Sequence, residues 1–299
     1  MQSEAGPQVR AWVEYFRDIG VHDFYRRGEP APQTAGEADA ASSTMIVATV
    51  KTEDDAAAAV GRGRQLADEA TPTPQIAGAQ FMPPPERLVP FNDLAPLPTA
   101  AVPAAQRESA LRAIQQEIGD CTRCPLAYAG RHKIVFGDGS PTARLMFVGE
   151  GPGADEDVQG LPFVGKAGQL LNNMIGAMGL ARAEVYIANI VKCRPPGNRV
   201  PEPAEANTCA QFLLRQIDVV RPEAIVALGA TAATYLLGVK QSLSSLRGRW
   251  HRCRGAKLAV TYHPAFLLRD PRQKAEAWKD LQMVMRELGL TPLAPKKNA

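Results

Sequence analysis

The chain has 299 residues, five cysteines and a formal net charge of +3. That length holds one or two domains with a sizeable core, and the mildly basic balance permits a nucleic-acid partner without demanding one. There is no apolar run long enough to span a membrane and no charged-then-apolar secretory leader, so the expectation is a cytoplasmic protein with no membrane partner. There, an odd cysteine count favours metal ligation or a free thiol over disulfides.

In chain order, Val9, Trp12, Val13, Phe16 and Ile19 recur at helical spacing before Gly20, predicting an amphipathic helix within residues 1–27. Its apolar face needs a partner, either the core domain or another protein. Residues 28–103 are rich in Ala, Pro, Thr, Gly and Glu, and read as a largely disordered linker. The compact domain is expected over 104–299. Leu111, Ile114 and Ile118 predict a helix leading to Cys121. Apolar runs at 145–148, 185–191, 224–229 and 258–262 read as buried strands, and helical patterns at 204–220, 231–237 and 273–288 separate or follow them. Strands alternating with helices predict an α/β fold: three α/β/α layers around a central, mostly parallel four-stranded sheet.

Residues 149–163 break the first strand into a Gly/Pro loop before Leu170, Leu171, Met174, Ile175 and Met178 resume a helical stripe. Such a loop lies at the carboxyl end of a parallel strand, where open α/β sheets bind ligands. Its alternating Gly149, Gly151 and Gly153 do not fit the dinucleotide spacing, and no P-loop lysine-serine pair follows. Asn189, inside an apolar strand, requires a partner for its amide. With Phe163 and His263 it stands at strand ends that share one edge of the sheet.

Cys121 and Cys124 form a CxxC, and Cys193 and Cys209 a second, distant pair. Four thiolates complete a ligand set for zinc or a [4Fe-4S] cluster, although a zinc ribbon keeps its pairs closer together. Cys253 reads as a small buried apolar residue.

GEGPGADED and QGLPFVGKAGQLL in the first motif, KCRPPGNRVPEPAEANTC at 192–209 and TYHPAFLLRD at 261–270 together resemble the family 4 uracil-DNA glycosylases, the iron-sulfur branch of that superfamily. The resemblance covers roughly residues 107–290. It implies a [4Fe-4S] cluster on Cys121, Cys124, Cys193 and Cys209, and hydrolysis of the uracil–deoxyribose bond in single- or double-stranded DNA, expected of a monomer. Asn189 would read uracil N3–H and O4, and Phe163 would stack on the ring. His263 and the main-chain N–H groups of Gly149, Glu150 and Gly151 would meet O2. Leu267 or Leu268 would fill the space left by the flipped base, with Arg269 on phosphate.

Gly151 replaces an aspartate that holds the attacking water in well-known relatives. The expectation assigns water to Glu156, loop or pocket positioning to Glu150, and solvated positions to Asp155 and Asp157. The loop CRPPGNRVPEP lacks the histidine by which one branch traps DNA covalently, so ordinary turnover is expected. Two alternatives share the fold: a non-catalytic iron-sulfur protein binding DNA or a polymerase, and a flavodoxin-like redox carrier. The set of Asn189, Phe163 and His263 disfavours the first.

Overall fold

A computed structural model describes residues 88–291. The predicted N-terminal helix and most of the predicted linker lie outside the described residues. Six strands form one sheet in the order β1-β3-β2-β4-β6-β5: β1 (Asp138–Gly139), β2 (Leu145–Gly149), β3 (Tyr186–Asn189), β4 (Ala224–Leu228), β5 (His251–Cys253) and β6 (Ala256–Thr261). The inner four are parallel and correspond to the four predicted strands. The expected four-stranded sheet is therefore extended by β1 and β5, antiparallel edge strands. Neither could be found from periodicity, since one is Asp-Gly and the other is His-Arg-Cys at the edge. The β5–β6 hairpin turns on Arg254 and Gly255, at φ 48° and 83°. Both residues have the positive φ that a type I′ turn requires, but the arginine hides the usual Asn-Gly signature.

β2 is buried along its whole length, which explains its unbroken apolar sequence. Leu145 and Phe147 point into one core, Met146 and Val148 into the other. Among the described helices, α1 is Phe91–Leu94, α2 Arg107–Ile118, α3 Ala154–Gln159, α4 Lys166–Ala177 and α5 Pro203–Val220. They are followed by α6 (Ala230–Leu237), α7 (Leu243–Leu246), α8 (Pro264–Arg269) and α9 (Lys274–Leu288). Helices α4 and α9 cover the Phe147 face, whereas α2, α5 and α6 cover the Met146 face.

The described domain begins before the expected start at Ala104. Phe91 is fully buried, and its ring lies 6.4 Å from that of Tyr235. The Arg254 guanidinium binds the carbonyls of Ala95 and Pro96 at 2.8 and 2.9 Å and both oxygens of Asp218. One anchoring aromatic and two main-chain acceptors hold a segment whose Pro-rich composition suggests only linker. No helix of the described residues is long and apolar enough to cross a membrane.

Candidate active site

The carboxyl ends of β2, β3 and β6 bring the predicted residues to one cavity of about 360 Å³, lined by Glu150, Gly151, Glu156, Phe163, Asn189, His263 and Arg269 among others. Gly149 pairs in register with Asn189. Beyond them the loop stays bound to the continuation of β3, with Ile190 N–H donating to Gly149 O and Val191 N–H to Glu150 O. A Cβ on Gly149 would fall 2.5 Å from both Asn189 Oδ1 and Phe163 Cζ. Close approach, not backbone conformation, therefore demands glycine there.

Asn189 is 1% exposed, and its Oδ1 has no hydrogen-bond partner. A buried oxygen left in that state costs about 1–3 kcal/mol, which a donor from a bound ligand would offset. Phe163 is also buried, at φ 52°, an unusual conformation for an aromatic residue. Its ring centroid lies 5.6 Å from that of His263. Two features hold it there. Gly168, in the first turn of α4, leaves room for the Phe163 carbonyl, which a Cβ would approach to 2.0 Å. Arg182 donates to the carbonyls of Pro162 and Phe163 at 2.6 and 3.1 Å, and to Asn172 Oδ1 and Asp138 Oδ2.

His263 caps α8, with Nδ1 accepting from Ala265 N–H at 3.1 Å. The proton of the neutral ring therefore sits on Nε2. Burial, with Arg269 nearby, pushes its pKa down to about 4, so the imidazole is neutral at physiological pH.

The two candidate carboxylates differ. Glu156 Oε2 accepts from Gly153 N–H at 3.0 Å, and Oε1 accepts from Val164 and Gly165 N–H at 2.9 and 3.1 Å. This carboxylate braces both ends of the site loop. Burial raises the pKa of Glu150, opposed by a hydrogen bond from the Thr231 side chain.

Asp157 departs from its expected solvated position. It is fully buried and accepts from His132 N–H at 2.9 Å and His132 Nδ1 at 2.6 Å. Burial alone would raise its pKa, but the hydrogen bonds from His132 and Lys133 hold it below the usual carboxylate range. Asp155 is exposed as expected. Leu267 is fully buried in the α4–α9 core, which rules it out as a wedge, whereas Leu268 is 43% exposed beside the cavity-lining Arg269.

Cys121, Cys124, Cys193 and Cys209 line one small cavity next to Phe212. Burial raises the pKa values of Cys124 and Cys193, and pushes that of Cys209 up to about 12, so their thiolate forms need a cationic partner. N–H groups already face the sulfurs: Arg131 Nη1 lies 3.3 Å from Cys193 Sγ, and Lys192 N lies 3.3 Å from Cys209 Sγ. Among the described residues, no three ligand side chains are gathered tightly enough for a single ion. Cys253 is buried in β5, as expected of an apolar residue.

The family model of the Uracil DNA glycosylase superfamily matches residues 136–282. A type-4 uracil-DNA glycosylase of Thermotoga maritima is 45% identical over 168 residues, 55% of this chain and 86% of the relative. Counterparts of the same name from Pyrobaculum aerophilum and Archaeoglobus fulgidus are 40% and 39% identical, covering 58% and 57% of this chain and 92% and 89% of the relatives. This chain belongs to the type-4 uracil-DNA glycosylases.

Sequence reasoning misses several residues around this type-4 glycosylase pocket. Arg182 gives no signal, because a lone arginine before a strand looks solvated. Arg199, on the pocket wall, makes a bidentate pair with the buried carboxylate of Glu205 at 2.6 and 2.8 Å. The helix-start pattern Glu202–Glu205 marks that turn but not its arginine. Thr231 opens α6, and only the packed structure brings it to Glu150.

Proposed function

We propose that this enzyme is a DNA-repair hydrolase that rotates a deoxyuridine out of the helix and hydrolyses its N-glycosidic bond, leaving an abasic site that begins base excision repair. The observation that carries this reading is the unpartnered Oδ1 of Asn189 in a cavity shared with the rings of Phe163 and His263. Uracil supplies what is missing: N3–H donates to Oδ1, O4 accepts from the same amide, and the ring stacks on Phe163. Cytosine carries no N3–H and presents a donor at C4, so it leaves both amide atoms mismatched.

As the N1–C1′ bond breaks, its electron pair passes to the base and negative charge gathers on O2. The Nε2–H of neutral His263 is the donor for that charge, with main-chain N–H groups of the Gly149–Gly151 turn beside it. Water then adds at C1′ and gives up a proton. We assign this water to Glu150 and not to Glu156, whose oxygens both serve the loop. A desolvated carboxylate with a raised pKa is the stronger base. Leu268 is assigned to the vacated stack and Arg269 to a phosphate.

The four cysteines suit a [4Fe-4S] cluster, which would cross-link the segment before β1 to the loop after β3 and to the N-terminal half of α5. Hydrolysis transfers no electrons, so the cluster, held by Cys121, Cys124, Cys193 and Cys209, would supply rigidity. The working form is assigned as a cytoplasmic monomer on single- or double-stranded DNA.

Incubating the protein with uracil-containing oligonucleotides and then treating with alkali tests the activity. Cleavage at uracil and not at cytosine or thymine is expected; intact strands at high enzyme concentration overturn the reading.

A further inference from the structure

Lys192 is completely buried. Its Nζ donates to the main-chain carbonyl of Asn189 at 3.1 Å and to Gln216 Oε1 at 2.6 Å. Gln216 is itself held, its Nε2 donating to Phe136 O and Tyr186 Oη. Both acceptors of the ammonium are neutral. Arg131, the other cation beside the sulfurs, has Asp120 as its counter-ion, whereas Lys192, which also lines the four-cysteine cavity, has no carboxylate partner among the described residues. A buried charge without an ionic partner is disfavoured, and an anion held in the adjoining four-cysteine cavity would offset it. Lys192 precedes Cys193, and its own N–H points at Cys209 Sγ.

We propose that Lys192 is a positioning residue that couples the four-cysteine site to the uracil pocket. Its ammonium is the counter-charge of a thiolate-bound iron-sulfur cluster, and through the Asn189 carbonyl it holds the main chain from which the uracil-reading amide projects. The proposal rests on the glycosylase reading for its second half only. A cluster on four thiolates carries net negative charge, and the same cation that neutralises it keeps β3 in register at its carboxyl end.

The test compares wild type with Lys192→Met, which removes charge and hydrogen bonds, and Lys192→Gln, which removes the charge but retains a donor. Three quantities are read on folded, iron-loaded protein: cluster midpoint potential, the rate of iron release to a chelator, and kcat/KM on a uracil oligonucleotide. Both variants are expected to shift the potential to more negative values, because a nearby positive charge favours the reduced cluster, and to release iron faster. Lys192→Met should lose about tenfold or more in kcat/KM, the worth of a charge-assisted hydrogen bond, and Lys192→Gln less. An unmoved potential with unchanged iron release in both variants overturns the counter-charge. A shifted potential with kcat/KM kept within about twofold in Lys192→Met overturns the coupling. If Lys192→Met does not fold, Lys192→Gln decides both points by the same readings. A wild-type protein that leaves uracil intact defeats the glycosylase reading, while the potential and iron release still judge the charge.

Discussion

Gly149 and Asn189 face each other in register across β2 and β3, and a single methyl group on the first would stand 2.5 Å from the side-chain oxygen of the second. Gly149→Ala should therefore push the amide and the Phe163 ring out of place together. Overpacking of about 1–3 kcal/mol at this contact predicts a ten- to hundredfold loss in single-turnover rate on uracil oligonucleotides. A rate equal to wild type would mean that the contact relaxes freely.

Asn189→Ala separates function from stability. The amide oxygen has no partner in the free protein, so removing it should leave the melting temperature unchanged or slightly raised. Excision should fall by roughly 10²–10³, the usual effect of deleting one preorganised polar group from a site. Thermal melts and excision rates on the same preparations check both halves.

The two glutamates predict opposite phenotypes. Glu156→Gln replaces one of two accepting oxygens by a donor, facing the N–H groups of Gly153, Val164 and Gly165. It should lower stability by about 1–3 kcal/mol. Glu150→Gln removes a desolvated charge and should fold at least as well, yet lose catalytic rate. Denaturant melts with parallel kcat measurements distinguish them.

Adjacent leucines divide in the same way. Leu267→Ala truncates a fully buried side chain and should destabilise by about 2–5 kcal/mol. Leu268→Ala should melt like wild type and lose activity on duplex DNA more than on single strands, where no stack has to be refilled.

His263 predicts a pH signature. Its native pKa is about 4 against an ordinary 6.5, so as pH falls from 6.5 the unfolded chain takes up the proton first. Stability contributed by the neutral ring is complete above 6.5 and declines down to about 4. Glu150, with a raised pKa, acts in the opposite sense at the acidic end. The difference in melting temperature between wild type and His263→Asn should stay constant above this window and move against wild type as pH falls through it.

The parallel core was legible because strands covered on both faces are continuously apolar, whereas Phe163, Asn189 and His263 each have an ordinary structural use and pointed to one cavity only when taken together. Carboxylates were harder. Asp155, Glu156 and Asp157 are consecutive and chemically alike, yet the short helix α3 turns one to solvent, one back onto the loop N–H groups and one into the interior toward His132. Sequence carries no sign of which is which, since their partners lie in Val164, Gly165 and the 132–133 segment. Phe91 was hidden for a related reason, as one anchor in a proline-rich stretch does not change its composition.

The claim on which all of this depends is that one amide and one neutral imidazole converge on a single pyrimidine. A crystal structure with DNA carrying a non-hydrolysable 2′-fluoro-deoxyuridine tests it most directly. The flipped base should stack on Phe163, with N3 and O2 at hydrogen-bond distance, about 2.7–3.2 Å, from Asn189 Oδ1 and His263 Nε2 respectively. A base bound elsewhere, or one turned so that N3 meets neither side chain, would contradict the account.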